Sequence, residues 1–104
     1  MATYYFRFVA RPKQSHPKSN VYGGAIINCW IVRGSQTEAE SYAQGSLADE
    51  DWIVTELEDG SEITKESQTQ DGMTYFEQAQ TDREVFVFHH WLLGAKDDDA
   101  TPLA

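Results

Sequence analysis

Residues 25–47 read Ala25-Ile26-Ile27-Asn28-Cys29-Trp30-Ile31-Val32-Arg33-Gly34-Ser35-Gln36-Thr37-Glu38-Ala39-Glu40-Ser41-Tyr42-Ala43-Gln44-Gly45-Ser46-Leu47, and the apolar period changes halfway along. In an extended chain, Ala25, Ile27, Cys29 and Ile31 share one face, and Ile26, Asn28, Trp30 and Val32 share the other. Apolar residues on both faces predict an inner strand, which Arg33-Gly34 closes. Ser35 and Glu38 then have capping-box spacing. Ala39, Tyr42, Ala43 and Leu47 follow at helical intervals, with Glu38, Glu40, Ser41 and Gln44 on the other side. The spacing predicts an amphipathic helix of about three turns. A strand running straight into a helix places the chain among mixed folds.

The flanks extend the pattern. Thr3 to Ala10 alternates Tyr4, Phe6 and Phe8 with Tyr5, Arg7 and Val9, which predicts a strand ending at Arg11-Pro12. Residues 12–22 form a polar connection holding Lys13, His16 and Lys18, long enough to be functional or mobile. Gly23-Gly24 permits a tight turn or a bulge. Beyond the helix, Trp52 to Glu58 reads as a strand. Asp59-Gly60 reads as a two-residue hairpin turn, with Ser61 to Thr64 returning as a short edge strand. Asp71 is the expected N-cap of a second helix, Gly72 to Asp82, with Met73, Phe76 and Ala79 as its apolar stripe. Glu84 to Leu93 (Glu-Val-Phe-Val-Phe-His-His-Trp-Leu-Leu) is apolar on both faces and reads as a central strand. Residues 94–104 read as a disordered acidic tail.

The expected order is therefore β-β-α-β-(β)-α-β. It predicts an α+β domain over residues 1–93, with a single mixed or antiparallel sheet of four to five strands. Both helices are expected on one face, and the two strand-helix-strand crossovers to bring some parallel pairing. A ferredoxin-like plait needs β-α-β-β-α-β, and the two adjacent leading strands depart from that order.

Charge divides the 104 residues sharply. Met1 to Thr37 holds five bases (Arg7, Arg11, Lys13, Lys18, Arg33) and no acid. Glu38 to Ala104 holds seventeen acids against three bases, so the two parts carry +5 and −14, and the whole −9. An acidic surface repels phosphate backbones, so no nucleic-acid partner is expected, and with no apolar run near the length that spans a bilayer no membrane is expected either. The same surface speeds association with a basic protein. Cys29 is the only cysteine and cannot form an internal disulfide. With no apparent leader at the N-terminus and no long apolar run, a cytoplasmic protein is expected.

Catalytic constellations are not legible. His89 and His90 are neighbours in a strand and point to opposite faces, so they do not share an ion, and no Cys-x-x-Cys or His-x-x-x-His spacing occurs. No nucleophile elbow and no phosphate-binding glycine loop are present. No catalytic residue, metal or cofactor is assigned. The acids are the stronger feature: Glu38, Glu40, Asp49, Glu50, Asp51, Glu56, Glu58 and Asp59, with Trp52, Tyr42 or Tyr75 as an aromatic anchor of the kind interfaces favour.

The expectation is an acidic protein-binding domain whose carboxylates pair with the Lys and Arg of a basic protein. In size and charge, though in no motif, the chain resembles the immunity proteins that neutralise bacterial nuclease toxins. That resemblance implies inhibition by occlusion. Two alternatives stand beside it. One is a small-molecule or catalytic pocket between sheet and helices, lined by Trp30, His89, His90 or Trp91. The other is a homo-oligomer joined through an exposed sheet face.

Overall fold

In the computed structural model, which describes residues 1–93, the first strand β1 (Ala2–Pro12) turns back into β2 (Tyr22–Arg33). Helix α1 (Gln36–Asp49), strand β3 (Trp52–Ile63), a short 3-10 turn (Lys65–Ser67), helix α2 (Gln70–Asp82) and strand β4 (Glu84–Leu92) follow. The strands form one sheet in the order β3-β1-β2-β4, and every neighbouring pair is antiparallel. The α+β class and the four-stranded sheet are as expected. The parallel pairing is not: β2 and β3 run the same way, but β1 lies between them. The expected tail, 94–104, lies outside the described residues. Among the described residues no helix is long and apolar enough to cross a membrane.

The helices lie on opposite faces of the sheet, not on one. Ala39, Ala43 and Leu47 of α1 pack with Phe6, Phe8, Ala10, Ile27, Cys29 and Ile31. Ala79 of α2 packs with Trp30, Val32 and Val85 on the other side. The cause is in the strands: with large apolar side chains on both faces, a cover on one face alone would leave Trp30 and Val85 in water. Phe6 and Phe8 are wholly buried, and each such burial stabilises by roughly 1.5–3 kcal/mol.

The Ser35 side chain accepts from the Glu38 amide at 3.2 Å, as the capping spacing predicts. For α2 the cap is Thr69, which accepts from Gly72 at 3.3 Å, so Asp71 falls inside the helix rather than before it. Arg83 ends α2 in the left-handed region at φ 72°, with its amide bonded to the Ala79 carbonyl at 2.8 Å.

Asp59-Gly60 is not a hairpin turn. β3 runs straight through it and pairs Gly60 with Phe6 and Ser61 with Tyr5. A Cβ at Gly60 would lie 3.1 Å from Phe6 Cδ1, so this glycine makes room for a ring and does not turn the chain. Register shifts between Arg7/Phe8 and Val9/Ala10 leave Glu58 and Thr55 as extra residues on β3, the bulges that edge strands commonly carry. Nor is β4 a central strand: in the described sheet it is the edge opposite β3.

The 12–22 connection is a chain of tight turns, with His16, Ser19 and Val21 amides bonded to the carbonyls of Lys13, His16 and Lys18 at 2.9–3.0 Å. Gly23 falls at a register shift, the permitted bulge, and Gly24 lies beneath the indole of Trp91.

Candidate functional site

Helix α1 packs mainly over β3 and β2, less over β1, and reaches β4 only along its margin, where Tyr42 meets Glu84. A groove of about 460 Å³ results. Its helix wall is Tyr42, Ser46, Leu47, Asp49 and Glu50, and its sheet side is Glu84, Phe86 and Phe88. Among the described residues three carboxylates and no Lys or Arg line it. Phe86 and Phe88 are half-buried and form an apolar floor. The Tyr42 hydroxyl donates to the Glu84 carboxylate, and the Arg33 guanidinium lies 4.0 Å above the Tyr42 ring.

Past Phe88 the floor continues as stacked rings. His90 stacks on Tyr22 at 4.3 Å and lies 5.7 Å from Phe88 and 5.8 Å from Trp52, measured between ring centroids. His16 meets the Trp52 ring edge-on at 4.9 Å, and its Nδ1 accepts from the Lys18 amide at 3.0 Å. Burial pushes the His90 imidazole below the ordinary histidine range, and His16 and His89 add to that push. A neutral, stacked imidazole extends the aromatic floor. No group of three or more His, Cys, Asp or Glu among the described residues is placed to hold a metal ion.

The structure distributes the expected partner-binding residues among several places. Asp49 and Glu50 line the groove. Asp51 turns the chain at φ 66° and accepts from Ser15 Oγ at 3.1 Å. Glu38 is exposed on α1, and Glu40 accepts from Gln44 Nε2 at 3.2 Å. Glu56, Glu58 and Asp59 are exposed along β3 at the far edge of the sheet. Glu58 pairs with Arg7 at 2.9 Å, the one ion pair among the described residues. With both side chains about two-fifths exposed, that pair stabilises by at most about 1 kcal/mol. Trp52 is 4% exposed, so it belongs to the core and is not an anchor at an acidic margin.

The four residues expected to line one pocket do not share one. Trp30, His89 and Trp91 project to the α2 face and His90 to the α1 face. Trp30 does line a second concavity of about 380 Å³ beside α2, together with Tyr5, Arg7, Asn28, Asp59 and Tyr75. There the Tyr5 hydroxyl donates to Asn28 Oδ1 at 2.7 Å, while the buried Trp30 Nε1 has no hydrogen-bond partner among the described residues.

Sequence reasoning missed Glu84, Phe86 and Phe88 as site residues. Their signal was present, because alternate positions of β4 share a face. Reading that strand as central hid it. No protein-family model matches this chain, and neither a curated protein nor a solved structure matches it.

Proposed function

We propose that this protein is a protein-binding domain that takes a positively charged partner along the groove between α1 and β4. The observation that supports this reading is the pairing, in one concavity, of an aromatic floor (Phe86, Phe88) with three carboxylates (Asp49, Glu50, Glu84). Acids on a convex surface serve solubility. Acids beside apolar side chains suit the long stems and charged heads of Lys and Arg, which bury methylenes while their ends reach an anion. A partner whose basic residues hold phosphate would be inhibited by such occlusion, the outcome expected of the charge.

The test compares two synthetic peptides by fluorescence anisotropy, one alternating Lys with Val and one alternating Glu with Val. The Lys peptide binds, and its affinity falls as salt rises and in the double variant Asp49→Asn/Glu50→Gln. Equal affinity for both peptides, or none for either, would overturn the reading.

A second reading rests on the orphaned Trp30 Nε1. The concavity beside α2 would admit a small planar ligand against Trp30 and Tyr75, with Asn28 and Arg7 as donors. A fragment screen that shifts the Trp30 indole N–H resonance supports it; a screen that leaves that resonance unmoved removes it.

A further inference from the structure

The two edges of the sheet are built differently. On β3 two bulges break the ladder, and Glu56, Glu58, Asp59 and Glu62 are exposed along it. Such charges and bulges are the usual protection against an incoming strand. β4 carries a single acid, Glu84 at its start, and no bulge of its own. From Val85 to Leu92 it carries no Asp, Glu, Lys, Pro or Gly, and against β2 it keeps one register from Glu84 to Trp91. Among the described residues, the eight from Val85 to Leu92 form an edge with no acid, Lys or bulge of its own, which most folds avoid.

The ladder shows which backbone groups that edge offers. The Arg83 carbonyl accepts from the Val32 amide at 2.9 Å, and the Leu93 amide donates to the Val21 carbonyl at 2.8 Å. Bonded and non-bonded pairs alternate in an antiparallel ladder. Counting from Arg83 along the register, Val85, Val87 and His89 bond to Trp30, Asn28 and Ile26. Glu84, Phe86, Phe88 and His90 therefore turn their N–H and C=O groups outward. Their side chains are the ones that face the groove, so backbone pairing and groove contact are available to the same incoming segment.

We infer that β4 is a docking edge for strand addition, and that its occupant is an extended segment of a partner protein alternating Lys or Arg with aliphatic residues. The inference rests on the groove reading above and adds its mode. Residues of the added strand that project to the α1 side would lie beside Phe86 and Phe88, within reach of Asp49, Glu50 and Glu84. Those projecting to the other side would lie beside Val85 and Val87, where an aliphatic residue fits. Charge selects this occupant over a second copy of the chain, because each copy carries −9.

The test uses the Lys-Val peptide, a version N-methylated at alternate backbone nitrogens in each of the two phases, and amide hydrogen exchange of the whole protein. N-methylation removes strand hydrogen bonds and leaves charge intact. The expected result is slowed exchange at the Phe86, Phe88 and His90 amides with the plain peptide. Affinity should fall at least about tenfold for one methylated phase and less for the other. Equal affinity for all three peptides would overturn strand addition while leaving the groove reading in place. No binding by the plain peptide would overturn both. Protection of the same amides in the protein alone, growing with its concentration, would assign the edge to a second copy and also overturn the proposal.

Discussion

The Lys13 ammonium donates to the Ala48 carbonyl at 3.2 Å, so a base from the β1–β2 connection closes a helix whose own last turn carries none. The acids Asp49, Glu50 and Asp51 at that end oppose the helix dipole, and Lys13 answers them from another part of the chain. The Lys13 amide also donates to the Asp51 carbonyl at 2.8 Å, which holds the connection in place. Lys13→Met keeps the stem and removes the charge. It should cost about 0.5–1 kcal/mol, read as a lower urea midpoint at constant slope, with the difference shrinking in high salt. An unchanged midpoint at low salt would show that the contact contributes nothing.

Two glycines should respond to alanine with opposite signs. A Cβ at Gly24 would lie 2.7 Å from the Ala10 carbonyl oxygen and 2.9 Å from Trp91 Cε2, against backbone on one side and a buried indole on the other. Gly24→Ala should destabilise by about 2 kcal/mol or more and alter the near-ultraviolet signal of Trp91. Gly45 lies within α1 with nothing within 4 Å of its added Cβ, so Gly45→Ala should stabilise by up to about 1 kcal/mol. Urea denaturation of the two variants checks both signs.

Cys29 is wholly buried in β2, and burial pushes its thiol well above the ordinary range. A thiol reagent should label it only through unfolding, so the labelling rate should rise with urea in step with global stability. Fast labelling of the native protein would mean that this strand opens locally.

Stability should carry a histidine signature. The folded His90 pKa lies below its ordinary value of 6.5, so in the interval between them the unfolded chain binds more protons. The contribution is fully present above about pH 6.5 and is lost as pH falls through the folded value. The stability difference between the native chain and His90→Phe should therefore fall on acidification from about pH 7 to pH 5, measured by urea midpoints. A flat difference would show that the fold does not hold His90 neutral.

The groove was only partly legible in the sequence. Asp49 and Glu50 were found because acids after a helix are conspicuous along a chain. Glu84, Phe86 and Phe88 were not, because what makes them a site is that α1 lies mainly over the neighbouring strands and meets β4 only along its margin. Trp52 was misassigned for the same reason: next to acids in sequence, it is surrounded by the core in space.

The elements themselves were set by local rules that act within a few residues. The period of two in Thr3–Ala10 and Ala25–Val32, the Ser35 cap and the 3.6-residue spacing from Ala39 to Leu47 each follow from backbone geometry nearby. Tertiary structure alone decided which strand is an edge, that the helices take opposite faces, and that Asp59-Gly60 runs straight. Those outcomes depend on partners distant along the chain. Gly60 meets Phe6 across a ladder, and among the described residues β4 has β2 on one side and no strand on the other, which no local pattern encodes.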